Sequence, residues 1–213
     1  MNVDHQQVTL LVLLDLSAAF DTIDHQVLLN CLRLSCGIRG YAWEWIASYL
    51  SDSTQRVSFE NNLSQSRYLS CGVPQGSCLG PLLFTMYASK LFDIIKGHLP
   101  CTHAYADDTQ LYLSFKPVTT SSQSDAVDAM ERCVSPIRCW MIKDKLKVND
   151  SKTEFILVGT RQQLAKVDIK GLVVGDATIS PATAVKNLGS WLVPINPLNC
   201  RMSAGGTYRF HSV

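Results

Sequence analysis

The most constraining feature of the sequence is a pair of adjacent aspartates between two strand-like runs. Asp107 and Asp108 end the tetrapeptide Tyr-Ala-Asp-Asp and separate Cys101–Tyr105 from residues 109–115. Side chains alternate between the faces of a strand, so neighbouring aspartates can point the same way only at a tight turn. Carboxylates held close together repel, and a divalent cation such as Mg²⁺ relieves that repulsion. The pattern predicts a hairpin with a metal-binding tip; the alternative is an ordinary solvated turn.

A third carboxylate stands at the end of another apolar run. Val8–Leu14 is uninterrupted by polar groups except Thr9 and stops at Asp15. Such a run predicts a buried strand that delivers an acid at its end. A site for two cations needs at least one acid besides the Asp-Asp pair, and Asp15 is the best candidate for that ligand.

A loop rich in glycine and proline forms the second informative stretch. Residues 72–81 read Gly-Val-Pro-Gln-Gly-Ser-Cys-Leu-Gly-Pro, and the apolar sequence after them predicts a helix over 82–95. Pro81 suits the first helical turn, where its missing N–H costs nothing. Glycines let a ligand approach the backbone closely, and Gln75 offers both a donor and an acceptor. The alternative is an ordinary loop that leads into a helix.

The remaining periodicities predict further elements. A helix begins near Asp24, which with Asp21 and Thr22 is a candidate N-cap; His25 at its start has no partner that the sequence identifies. The aromatic stripe of Tyr41–Leu50, which includes Trp45, is expected to lie in the core. We further expect a hairpin around 60–62, a surface linker over 116–124, and a helix over 125–143 that Pro136 kinks or breaks.

Composition sets limits on the class of protein. The 213 residues, 46% of them hydrophobic, suffice for one core or two small subdomains. A net charge of +1 gives no support for a nucleic-acid partner. No apolar run approaches the roughly 20 residues of a membrane span, and residues 1–7 lack the basic start of a signal peptide. We therefore expect an intracellular protein of the nucleus or cytoplasm, not secreted and without a membrane partner. The eight cysteines lack zinc-site spacing and are expected to be buried free thiols.

Five motifs in a fixed order give the sequence a family resemblance. They are Asp15 with Phe20, the segment 72–84, Tyr-Ala-Asp-Asp at 105–108, Leu-Lys-Val-Asn-Asp-Ser-Lys-Thr-Glu at 146–154 and Val-Lys-Asn-Leu-Gly-Ser-Trp-Leu at 185–192. Together they resemble the reverse transcriptase domain of LINE-type, non-LTR retrotransposons, over residues 8–192. The resemblance implies an α+β polymerase palm, an antiparallel sheet flanked by helices, with partial fingers and no complete thumb. The implied activity is RNA-directed DNA polymerase.

The resemblance also implies roles at the metal site. Asp15 and Asp107 would hold two Mg²⁺ ions, with the backbone carbonyl of Leu16 completing one coordination sphere. Asp108 would also be essential but, by strand alternation, would face the metals less directly. Lys152 resembles a lysine that protonates the leaving pyrophosphate; the alternative is a surface lysine.

The substrate roles follow from the same resemblance. Phe20 would be the aromatic gate that selects deoxynucleotides, the alternative being a core phenylalanine. Gln75 and Gly76 would line the pocket for the incoming nucleotide and its template base, and residues 185–192 would grip the primer end. The implied partners are an RNA template, a DNA primer and deoxynucleoside triphosphates.

Some features depart from the family pattern. Only seven residues precede Val8, and residues 193–213 show no helical periodicity, so we expect incomplete fingers, a disordered tail and weak or absent activity. The alternative function is a catalytically inactive retroelement remnant that at most binds nucleic acid or protein. A metal-dependent nuclease is disfavoured because Phe20 and the Gln75 loop would then have no role.

Overall fold

The computed structural model describes residues 6–16, 19–74, 76–98, 101–105, 108–146, 149 and 152–193. Two compact units are formed by discontinuous segments: a sheet unit of residues 1–15, 94–138 and 149–213, and a helical unit of residues 16–93 and 139–148. The elements in chain order are β1 (Val8–Leu14), α1 (His25–Leu34), α2 (Tyr41–Leu50), β2 (Thr54–Gln55), β3 (Ser58–Phe59), β4 (Asn62–Leu63), β5 (Arg67–Tyr68), α3 (Gly80–Tyr87), α4 (Lys90–Lys96), β6 (Cys101–Tyr105), β7 (Asp108–Phe115), α5 (Thr120–Lys143), β8 (Glu154–Val158), α6 (Arg161–Leu164), β9 (Leu172–Val174), β10 (Ala177–Ile179), β11 (Val185–Asn187) and β12 (Ser190–Leu192).

The sheet unit is built on an antiparallel sheet with the strand order β6-β7-β1-β8. The predicted strand Val8–Leu14 is confirmed as β1, and its apolar residues are explained by its position between two neighbours. The even-numbered residues of β1 are almost completely buried. The odd-numbered residues lie on the other face of the sheet, and that face continues to Asp15.

Helix α5 begins earlier than the sequence predicted. The linker expected over 116–124 is wrong for Thr120 onward, because Ser122 and Thr119 cap the helix reciprocally: each backbone N–H donates to the hydroxyl of the other residue, at 3.4 and 3.1 Å. Buried residues recur at helical spacing along the part in the sheet unit, among them Met130, Val134 and Ile137. Pro136 lies inside the helix, which continues past it to Lys143.

The helical unit confirms one of the three cap candidates. The Asp24 carboxylate accepts hydrogen bonds from the backbone amides of Gln26 and Val27, both at 3.0 Å, and so caps α1. Burial acts to raise the pKa of Asp24, but these bonds and a 2.6 Å bond from Lys145 outweigh it and lower the pKa. The single helix expected over 82–95 is instead two helices, α3 and α4, since a turn at 88–89 interrupts it.

Another expectation for the helical unit is wrong. The aromatic stripe of α2 is not core: Trp45 is 58% exposed and stacks on Tyr49, and Leu50 is the residue of the helix that is buried. Helical spacing identifies a face but does not reveal whether anything covers it. The hairpin expected around 60–62 is confirmed: Phe59 pairs with Asn62 across a turn at Glu60 and Asn61, and the pairing is divided into two ladders, β3 with β4 and β2 with β5.

Cysteine burial also differs from expectation. The seven cysteines in the described residues are free thiols. Cys31 and Cys133 are buried, whereas four others are exposed: Cys36, Cys71, Cys78 and Cys139. Among the helices that the structure describes, none combines the length and apolar character needed to cross a membrane.

Candidate active site

The register of the sheet places three predicted site residues in one row. Leu14 at the end of β1 lies opposite Thr109 of β7, so the next pair in the same register is Asp15 with Asp108. On the other side Leu13 lies opposite Glu154 of β8, and the next pair on the same face is Asp15 with Lys152. Directly opposed residues of antiparallel strands share a face. We call this set, Lys152, Asp15 and Asp108, the Asp15 row.

The Asp15 row lines a cavity of about 260 Å³ within the sheet unit. Both acids and lysines line it, which suits a ligand that carries both negative charge and bound cations. Its other lining residues are Leu13, Leu14, Thr109, Gln110, Glu154, Lys186 and Asn187.

One oxygen of Asp15 lacks a hydrogen bond. Its Oδ2 is buried and has no donor within hydrogen-bond distance among the described residues, while the Lys152 Nζ lies 3.7 Å away. A buried carboxylate oxygen without a donor is costly unless a cation satisfies it. Asp15 therefore fits the role of a ligand for a divalent metal, whose preferred donors are carboxylate oxygens.

Backbone hydrogen bonds hold Lys152 beside Asp15. The amide of Asn149 donates to the backbone carbonyl of Asp15 at 2.9 Å. The carbonyl of Asn149 in turn accepts from the amides of Lys152 and Thr153, at 3.0 and 2.9 Å, and from the Thr153 hydroxyl at 3.0 Å. The chain entering β8 is thus bonded to the end of β1, and the ion pair follows from that geometry.

Asp108 is the first residue of β7, lies opposite Tyr105 and is half-buried. It lines the cavity directly, whereas alternation led us to expect that it would face the metals less directly. The reason is the register with β1, which puts Asp108 on the same face as Asp15. Asp107 lies outside the described residues. Within the described part of the chain, no three histidine, cysteine, aspartate or glutamate side chains are grouped as metal ligands.

The segment 185–192, which the resemblance assigns to the primer end, forms a hairpin of β11 with β12 beside this cavity. Its two-residue turn places Leu188 at φ 46° and Gly189 at φ 81°. The sequence did not identify a further contact of the hairpin: the Gln110 Nε2 donates to the Asn187 Oδ1 at 3.0 Å. Gln110 follows Asp108 by two positions and so shares its face, a signal that the strand assignment alone could have supplied.

Phe20 and Gly76, two of the predicted substrate residues, lie in the helical unit. Phe20 is half-buried, its ring centroid 5.0 Å from that of Phe84, and its carbonyl accepts from the amide of Val73 at 2.9 Å. Gly76 is exposed with φ 81°, a conformation that favours glycine. Leu16 is buried. Gln75 lies outside the described residues.

His25 has a partner that sequence reasoning missed. The buried ring forms a 2.8 Å hydrogen bond through Nε2 with the carbonyl of Gly72. The amide of Gly72 donates to the carbonyl of Ile23 at 2.8 Å, and Gly72 adopts φ 92°. The start of the glycine-rich loop is therefore fixed to the turn before α1.

Comparison with known protein families decides the assignment. The sequence model of the family described as "Reverse transcriptase (RNA-dependent DNA polymerase)" matches residues 1–192. The chain belongs to the reverse transcriptase family.

Relatives of this chain come from non-LTR retrotransposons, as the motifs indicated. It is 27% identical over 179 residues to the probable RNA-directed DNA polymerase from transposon BS of Drosophila melanogaster, covering 76% of this chain and 18% of that protein. It is 28% identical over 159 residues to the polymerase from mobile element jockey of the same organism, covering 70% and 16%. The chain thus spans less than a fifth of the length of these curated relatives.

Solved structures with a similar fold include telomerases. Apo telomerase of Candida tropicalis superposes with a TM-score of 0.58 at 15% identity, covering 88% of this chain and 34% of that one. The telomerase of the same organism in complex with a TWJ fragment of telomeric RNA gives 0.59 at 16% identity, covering 97% and 32%. The expected α+β polymerase fold is confirmed.

Proposed function

We propose that this reverse transcriptase domain catalyses RNA-directed DNA synthesis by transferring nucleotides to the 3′ end of a DNA primer on an RNA template. The observation that carries the proposal is the Asp15 row, which combines two acids and a lysine in one cavity. A family match over residues 1–192 also favours a polymerase over an inactive remnant. We assign the activity to residues 8–192 and place the protein in the nucleus or cytoplasm.

The donor set fits the divalent cations on which this family depends. We assign two Mg²⁺ ions to the carboxylates of Asp15, Asp107 and Asp108 with the backbone carbonyl of Leu16. The structural support for this assignment is the buried Oδ2 of Asp15, which accepts no hydrogen bond from the described residues and has the Lys152 Nζ 3.7 Å away. Such cations supply Lewis-acid chemistry, which favours the alkoxide of the primer 3′-hydroxyl and offsets negative charge at the α-phosphate.

Lys152 is suited to move a proton at the leaving group. Its side chain is 69% exposed, so its ammonium can reach a ligand in the cavity, while the ion pair with Asp15 keeps it at the row. A donor at this point would protonate the pyrophosphate oxygen as its bond to the α-phosphorus breaks. Lys152 thereby completes the row as an acid beside two metal-binding carboxylates.

The family resemblance supplies the substrate contacts of the proposal. Phe20 would select deoxynucleotides by the clash of its ring with a 2′-hydroxyl, and its contact with Phe84 keeps the ring in place. Gln75 and Gly76 would contact the incoming nucleotide and its template base. Residues 185–192 would hold the primer end.

Primer extension tests the proposal. The chain, incubated with Mg²⁺, deoxynucleotides and a DNA primer annealed to RNA, should extend the primer. Asp15→Asn and Asp107→Asn should each slow extension at least about a hundredfold, because several kcal/mol of transition-state stabilisation depend on the metal ligands. Asp176→Asn, the same change in an exposed turn, is the matched control and should extend normally.

Two results would contradict the proposal. One is the absence of extension by a preparation that circular dichroism and cooperative melting show to be folded. The other is full activity of Asp15→Asn.

A further inference from the structure

The face of the sheet that carries Asp15 is organised in three successive rows. Directly opposed residues of β8, β1 and β7 form each row, and the rows follow one another every two residues along β1. The Leu11 row is Ile156, Leu11 and Tyr112; the Leu13 row is Glu154, Leu13 and Gln110; the Asp15 row follows.

The hairpin of β11 and β12 lies along these rows. Val185 is completely buried in a cluster with Leu11 and Ile156, and Leu192 packs against the same cluster. Two residues further along β11, Asn187 accepts its hydrogen bond from Gln110 of the Leu13 row. The hairpin therefore advances from the Leu11 row to the Leu13 row, and its turn continues toward the Asp15 row.

The two ends of the hairpin are anchored by different chemistry. The open end is fixed by the apolar contacts of Val185 and Leu192. At the turn end Leu188 is 50% exposed and Gly189 is exposed, so burial contributes little there. A two-stranded hairpin is marginally stable by itself, and its turn end depends on whatever contact it makes. The side-chain hydrogen bond from Gln110 to Asn187 is one such contact among the described residues.

We propose that Gln110 and Asn187 are a positioning pair that fixes the turn end of this hairpin relative to the Asp15 row. Gln110 lies two residues from Asp108 on the same strand, so the bond fixes the position of the hairpin relative to a proposed metal ligand. Each amide carries a donor and an acceptor, which allows the pair to form this bond in either orientation. If the domain extends primers as proposed above, the pair also fixes the primer 3′ end relative to the metal site; this part of the inference rests on the proposed function.

The chain contains a matched control for an amide side chain with a merely structural role. Gln123 is buried, donates to the carbonyl of Lys166 and accepts from the amide of Asp168, both at 2.9 Å. It lies in the same unit and does not line the cavity. Gln123→Ala should lower the melting temperature without changing the primer kinetics.

Two measurements on the full chain test the pair. Hydrogen exchange should become faster at residues 185–192 in Gln110→Ala and Asn187→Ala, but not in Gln123→Ala. In primer extension both variants should raise the KM for primer roughly 3- to 10-fold, the range expected for one hydrogen bond, with little change in kcat. The double variant should match each single one, and the exchange Gln110→Asn with Asn187→Gln should restore both readouts.

The possible results distinguish a failure of the positioning pair from a failure of the proposed function. Unchanged exchange at 185–192 in both alanine variants overturns the pair, whatever the activity. An increase of the primer KM in Gln123→Ala equal to that in Gln110→Ala overturns the positioning role. The unaltered chain could extend no primer while Gln110→Ala still speeds hydrogen exchange at 185–192. In that case the proposed function and the primer role fail, but the pair still fixes the turn end of the hairpin.

Discussion

Replacing Lys152 with methionine should slow nucleotide transfer far more than it destabilises the fold. The Nζ of Lys152 lies 3.7 Å from the Asp15 Oδ2. Two unit charges at that distance attract by about 1 kcal/mol in water and about 4 kcal/mol at an effective dielectric constant of 20. The Lys152 side chain is 69% exposed, so solvent screening places the pair near the lower value. We expect Lys152→Met to change the free energy of unfolding by less than about 1 kcal/mol.

The expected effect on rate is of a different size. A positioned proton donor contributes roughly 10²- to 10⁴-fold to a reaction, so Lys152→Met should reduce kcat by that factor. Lys152→Arg keeps the charge but carries a guanidinium that does not give up its proton, and it should remain slow. A recovery of kcat in Lys152→Arg would show that Lys152 acts through charge alone.

Urea denaturation measures the free energy of unfolding, and single-turnover primer extension on the same preparations measures the rate. Lys170→Met is the control, because it removes an exposed lysine paired with Asp168 outside the cavity and should affect neither quantity. Primer extension by Lys152→Met at the normal rate would show that Lys152 is not the proton donor. A loss of several kcal/mol of stability in this variant would also contradict the prediction, since the rate loss would then follow from unfolding.

Two further predictions concern stability. Because the pKa of Asp24 is lowered in the folded state, its ionisation stabilises the fold above pH about 4 and that contribution is lost as the pH falls further. Asp24→Asn, which keeps the cap, should flatten this acid dependence in urea titrations and lower the free energy of unfolding by less than about 1 kcal/mol at pH 7. Asp24→Ala, which removes the cap, should lower it by about 1 kcal/mol more. Equal losses in the two variants would contradict the capping role. Leu188→Asn should raise the free energy of unfolding by about 1 kcal/mol, because leucine is strained at φ 46° and asparagine tolerates that conformation; an unchanged urea midpoint would argue against strain in the turn.

The sequence predicted the helices and strands better than it predicted which residues contact one another in the fold. Strand β1 and the hairpin of β6 and β7 followed from local patterns, because apolar runs and turn residues act within a few positions. The Asp15 row depends on the register between β1 and β8, and no local pattern specifies which residues 130 or more positions apart will meet. Lys152 was therefore reached through the family resemblance, and Gln110 was missed.

The errors in the helical unit have a related cause. The stripe of Trp45 and Tyr49 has the spacing of a buried face, yet Trp45 is 58% exposed. Periodicity reports which side chains share a side of a helix, whereas burial depends on a second surface that another part of the chain must supply. His25 illustrates the converse, since its partner is a backbone carbonyl that carries no residue-specific signal.

Strand β1 is central in the sheet although it is synthesised long before its neighbours. Val8 pairs with Phe115 and Thr9 with Val158, so neither ladder can form until residues more than 90 positions later have been translated. At about 5–20 residues per second, the first of these partners follows roughly 5–20 s later. During that interval a strand of seven mostly apolar residues has two unpaired edges, which is a recognised route to aggregation. Slower translation prolongs this exposure, so a chaperone that binds extended apolar segments should raise the yield of folded protein more than reduced synthesis rates do.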